Sequence, residues 1–100
     1  MATTSKALFR GAASTSNTTL YTVPSATTAI VTNIVVTNTA SSGATFTIKL
    51  DGVDVVSGTS IAANSVAVFD LKQPLSAADL IEGSASAVTV NFHIAGVEVA

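Results

Sequence analysis

The chain has no cysteine, no tryptophan, two prolines, one histidine and one tyrosine in 100 residues. Without cysteine there is no disulfide and no thiolate metal site, and the redox compartment is unreadable. A single histidine all but excludes a zinc centre within one chain. Charge is scarce as well. Lys and Arg number four, Asp and Glu six, and charged residues make up 10 % of the chain. Ordinary globular domains devote about a quarter of their residues to charge. Lys6, Arg10, Lys49 and Lys72 are scattered, so no basic stripe for nucleic acid exists. No apolar run nears the ~18 residues of a membrane-spanning helix. Met1–Lys6 lacks the apolar core of a secretory signal, which predicts arrival without classical secretion or as part of a larger particle.

What remains is apolar and hydroxyl-bearing. Hydrophobic residues make up 48 % of the chain, and Ser and Thr supply most of the rest. The net charge is −2 and the mean hydropathy +0.60. Weak charge repulsion favours association into a larger body. The same composition also suits an isolated β domain kept in solution by hydroxyls. The length fits one domain, large enough to bury roughly two thirds of its unfolded surface.

Apolar residues recur with period two, not 3.6. In Thr45–Leu50, Phe46, Ile48 and Leu50 point one way, and Thr45, Thr47 and Lys49 the other. Asp51-Gly52 follows at once, then Val53–Val56. That dipeptide between apolar runs predicts a two-residue hairpin, because both central positions of a type I′ turn need positive φ. Val88, Val90, Phe92 and Ile94 alternate with Thr89, Asn91, His93 and Ala95, and Gly96 suggests a bulge or bend before Val97–Val99. Ala29–Asn38 is apolar on both faces and reads as a central strand, with Ile30, Ile34 and Val36 inward and Val31 and Val35 opposite. Leu8–Ala12, Thr18–Val23, Val66–Leu71 and Leu80–Gly83 complete the set. Thr18–Val23 ends at Pro24, and Val66–Leu71 ends near Pro74. Ser76–Asp79 is the one plausible helical turn, with Ser76 as its cap.

About eight short strands predict an all-β, single-domain antiparallel β-sandwich, jelly-roll or immunoglobulin-like. Residues 1–6 read as a flexible N-terminal arm and residues 7–100 as the sandwich. Phe46, Ile48, Phe69, Phe92 and Ile94 are the expected core.

Candidate chemistry is thin. His93 would need a nucleophile and an orienting acid, and no Gly-x-Ser-x-Gly elbow is present. It reads as a surface or interface histidine on the outward face of the last strand. Asp51 and Asp54 flank one hairpin, too few oxygens for calcium. Asp70, Asp79 and Glu82 fall on separate elements and make no paired-carboxylate site. Asn17-Thr18-Thr19 matches a glycosylation sequon of the kind chance supplies in a Thr-rich chain. Tyr21 reads as strand-end packing rather than a sugar platform. No phosphate-cradling glycine loop occurs. The expectation is a non-enzyme with no catalytic residue, no cofactor and no metal.

Four segments together carry a family likeness: Leu20-Tyr21-Thr22-Val23-Pro24, Ile30–Thr39, Phe46–Gly52 and Ile61-Ala62-Ala63-Asn64-Ser65. Over about residues 18–97 the chain resembles small all-β virion structural proteins of tailed bacteriophages. Some of these are capsid decoration (cement) proteins and others are tail- or fibre-associated. The motifs are strands and turns, so the likeness implies an architecture and a place in the virion but no active site. It implies a protein made in the host cytoplasm that joins the major capsid protein, or tail proteins, as a homo-oligomer. A trimer is the natural closed symmetry on a capsid lattice. No nucleic-acid or membrane partner is expected. A carbohydrate-binding or adhesive module is the reading from a different class.

Overall fold

The computed structural model describes residues 3–100 and folds them entirely into strands, turns and loops. The eight strands are β1 (Thr3–Ala12), β2 (Thr18–Thr22), β3 (Thr28–Asn38), β4 (Ala44–Leu50), β5 (Val53–Ile61), β6 (Ser65–Leu75), β7 (Leu80–Ala85) and β8 (Val90–Val99). They form two four-stranded sheets with orders β1-β8-β3-β6 and β2-β7-β4-β5, and every described pairing is antiparallel. Of the two sandwiches the sequence left open, this is the jelly roll. Among the described residues only β4 and β5 are sequence neighbours joined side by side; every other connection passes from one sheet to the other.

The β4–β5 hairpin follows its local signal. Asp51 and Gly52 have φ of 53° and 77°, and Leu50 pairs with Val53. Alternation then sets the core. Phe46, Ile48, Leu50, Val90, Phe92 and Ile94 are all buried. Phe46 stands edge-on to Phe92 and Phe69, with centroids 6.3 and 6.1 Å away. Phe69 lies on edge strand β6 and is only partly buried against that cluster.

Several local expectations change. β3 carries a bulge at Thr32, between the paired residues Val31 and Asn33. The extra residue reverses the alternation, so Ala29 and Val31 are buried with Ile34 and Val36, and Ile30 faces outward. The expected faces of Ile30 and Val31 are therefore exchanged. Gly96 is not itself a bulge. It sits in continuous β8 beside the irregularities of both neighbours, at Leu8 on β1 and Thr32 on β3. Val88 lies in the β7–β8 turn and is 63 % exposed, so the last strand starts at Val90. β6 runs through Pro74 to Leu75, which an edge strand permits.

Ser76–Asp79 is a turn, not a helix. Ala78 has φ of 72°, and the Asp79 carboxylate accepts from the Ser76 N–H at 2.9 Å. The capping side chain is Asp79, the reverse of the expected Ser76 cap. The arm expected over residues 1–6 also changes. Thr3–Lys6 belong to β1 and pair with Val99–Gly96, because β8 offers them a full ladder; Met1 and Ala2 lie outside the described residues.

Among the described residues one polar side chain is buried in this interior. Asn38, 2 % exposed, ends β3 where three loops meet. Its amide donates to the carbonyls of Ser42 (2.9 Å) and Ala62 (3.3 Å). Its Oδ1 accepts from the Ala40 N–H (3.1 Å) and the Thr89 hydroxyl (3.2 Å). One side chain thus ties together the β3–β4, β5–β6 and β7–β8 loops, with its hydrogen-bonding capacity met.

Candidate interaction surfaces

Strand register assigns each outward side chain to a face. On the β2-β7-β4-β5 sheet, one row runs Thr19, Glu82, Lys49, Asp54 across all four strands. Beside it lie Thr47 opposite Ser84, and Thr45 opposite Ser60. Lys49 reaches Asp54 at 3.6 Å, and Asn17 donates to Glu82 at 3.0 Å. This face is hydroxyl-rich and internally paired.

The outer face of the β1-β8-β3-β6 sheet is different. Its rows read Arg10, His93, Val35, Val68; then Ala12, Asn91, Thr37, Val66; and, past the bulges, Ala7, Ala95, Asn33, Asp70 and Ser5, Val97, Ile30, Pro74. Valine, isoleucine, alanine and proline supply most of it, and Val66 and Val68 are 60 % and 58 % exposed. Alternation along β6 and β8 was the signal for this apolar surface. Each strand shows its outward residues singly, and only the tertiary register gathers them into one face.

The residues singled out for chemistry stay apart. His93 sits half-buried on this face between Arg10 and Val35, a cation and a hydrocarbon, neither of which orients an imidazole as a base. Asp54 is taken up by Lys49, Asp79 by its own turn and Glu82 by Asn17, while Asp70 stands on β6. Among the described residues no cluster of His, Asp and Glu is arranged to hold a metal ion. No helix among them is long and apolar enough to cross a membrane. A shallow depression of about 480 Å3 between Ala44, Thr45, Ser60, Ile61 and Ser86 holds no titratable group.

Tyr21 does more than pack. Its phenol donates to one carboxylate oxygen of Glu98, tying β2 of one sheet to β8 of the other. Lys6 Nζ lies 3.4 Å from the second oxygen. Burial, then the hydrogen bond and negative charge of Glu98, push the Tyr21 phenol well above its ordinary range. The phenol's hydrogen bond holds Glu98 below the usual carboxylate range, with Lys6 assisting and desolvation opposing. Both shifts serve a structural clasp, which the sequence could not show because its members lie at opposite ends of the chain.

No family model and no curated protein matches the chain. Among solved structures, it is similar to a pentameric capsid protein isolated from metagenomic phage sequences, with a TM-score of 0.42 and 18 % identity. That alignment covers 92 % of this chain and 60 % of the other, so the chain spans less than two thirds of that protein's length.

Proposed function

We propose that this chain is a structural subunit of a bacteriophage virion, and within it a decoration protein that braces the shell of major capsid subunits. The carrying observation is the contrast between its two outer faces. One carries hydroxyls and the Lys49–Asp54 ion pair, with Val53 and Val55 exposed on its edge strand β5; the other is built around Val35, Val66, Val68, Val97 and Ile30, with Arg10, His93 and Asp70 set among them. A domain made this way rests one sheet on a support and leaves the other in solvent. The sequence resemblance over residues 18–97 supports a virion surface as that support, capsid shell or tail.

The mechanism is added interface, with no reaction assigned to any residue. Each Å2 of apolar area covered contributes about 25 cal/mol before association costs. Repetition over a lattice makes modest energies per site sufficient. His93 and Arg10 supply polar contacts at one margin of the apolar surface.

The test is a density map of the particle with quantitative mass spectrometry of its subunits. Decoration expects copies in the hundreds, with the β1-β8-β3-β6 face against the shell. A handful of copies at the tail would replace the decoration role with a tail-associated one. Absence from particles, together with saturable binding on a glycan screen, would overturn the virion reading in favour of an adhesive module.

A further inference from the structure

Each sheet has two edges, and three of the four edge strands are guarded. β1 carries a bulge at Leu8, flanked by Lys6 and Arg10. β2 is five residues long and is itself bulged at Leu20. β5 is irregular twice opposite β4, with Gly58 at a φ of 54°. Bulges, brevity and cationic side chains are how sheets prevent edge-to-edge pairing.

β6 is the exception over its first half. From Ser65 to Asp70 it pairs with β3 without a break, residue for residue from Asn38 to Asn33. Its irregularity and its proline come later, at Leu71–Lys72 and Pro74. Among the described residues nothing pairs with its other side. In such a strand every second residue turns its backbone N–H and C=O away from the partner strand, so these groups are free to pair. The stretch Asn64–Phe69 contains no charge, and its outward side chains are the exposed Val66 and Val68.

We propose that the Ser65–Phe69 edge of β6 pairs antiparallel with the same edge of a second copy about a two-fold axis at Ala67. Opposite residues in an antiparallel pair share a face, and this register keeps faces matched. Val66 of each copy meets the partner's Val68, twice by symmetry. On the inner side, Phe69, whose ring is only partly covered within one copy, meets the partner's Ser65. Asp70 falls opposite the partner's Asn64, so no like charges face each other, and a net charge of −2 adds little repulsion between copies. The two β1-β8-β3-β6 sheets become one eight-stranded sheet with a continuous outer face. The contact is isologous and closes at two copies. The trimer suggested by family likeness needs a different, heterologous surface.

The contact is testable on the isolated protein, independently of any virion role. Sedimentation over a wide concentration range is expected to show a monomer–dimer equilibrium. Hydrogen exchange is expected to show protection of the Ser65–Phe69 amides that rises with concentration, with β1 and β2 unchanged. Val68→Lys places a guard on the edge and is expected to weaken dimerisation at least about tenfold, while Thr19→Lys on the polar face leaves it unchanged. Thermal melting checks that Val68→Lys folds, as its 58 % exposure implies. A monomer throughout with concentration-independent exchange at β6 overturns the proposal. So does a trimer, or a dimer that a folded Val68→Lys leaves intact.

Discussion

Gly96 approaches Ile30 so closely that a Cβ on it would lie 2.3 Å from the Ile30 carbonyl oxygen. The same atom would come within 2.8 Å of Leu8 Cδ1. The first obstacle is backbone and cannot swing aside. Gly96→Ala is therefore expected to destabilise by about 1–3 kcal/mol or more, as overpacked cores do. Gly52→Val tests a different constraint, since nothing lies within 4 Å of that Cβ but φ is +77°. It is expected to cost roughly 1–2 kcal/mol from backbone conformation alone. Urea titrations of both variants check this. A neutral Gly96→Ala would mean that β3 and β8 sit farther apart at this point.

Asn38→Ala strips four hydrogen bonds from three loops at once. The Ala40 N–H and the carbonyls of Ser42 and Ala62 lose a buried partner. The expected loss is about 3 kcal/mol, since unmet buried polar groups cost ~1–3 kcal/mol each and water recovers part. Asn38→Asp should be worse at neutral pH, because a carboxylate would face two carbonyl oxygens. Denaturant midpoints for the two variants, with hydrogen exchange at Ala40, give the comparison.

Phe92→Ala removes a fully buried ring that stands edge-on to Phe46. The expected cost is about 3–5 kcal/mol. Phe69→Ala, at the partly covered edge, should cost clearly less in the same titration. Equal costs would mean that the β6 side of the core is as enclosed as its centre.

The Tyr21–Glu98 clasp makes stability depend on pH at both ends. Glu98 is held below its unfolded value, so its contribution is whole above the ordinary carboxyl range and fades as pH falls through the folded value. Tyr21 is raised, so its contribution is whole below its unfolded value of about 10 and fades as pH rises above it. Tyr21→Phe should lower the urea midpoint at neutral pH. The gap from the native protein should narrow in acid, below about pH 4, and again in alkali. A gap that stays constant across pH would show that the phenol acts only through packing.

Val35→Glu and Val97→Glu place charge on the outer face of the β1-β8-β3-β6 sheet without touching the buried side. Both residues are half-buried and outward, opposite His93 and Ile30 respectively. The melting temperature should change little, while occupancy on shells should fall. Thr47→Glu on the other sheet should leave occupancy unchanged. Equal occupancy for all three variants would remove this face from the attachment surface.

Local alternation was enough to place Phe46–Leu50 and Val90–Ile94 as strands and to choose their buried sides. Asp51-Gly52 specified its hairpin because the requirement for positive φ is met inside two residues. These signals are read between neighbours in the chain, where the geometry of a pleated strand leaves two faces and no more. The order of strands is a different matter. β1 lies against β8 and β3 lies between β8 and β6, and no local pattern states which distant partner a strand takes. The bulge at Thr32 is silent in a run where apolar residues fill both faces, so only the ladder with β8 shows that Val31, not Ile30, is buried. Asn38 reads as an ordinary polar strand end until three loops close over it. Tyr21 and Glu98 become a pair only when the two sheets stack. Composition and period thus determined that this chain is a charge-poor β-sandwich. Tertiary pairing decided which valines share a face and which edge stands open, because both depend on register between strands far apart in sequence.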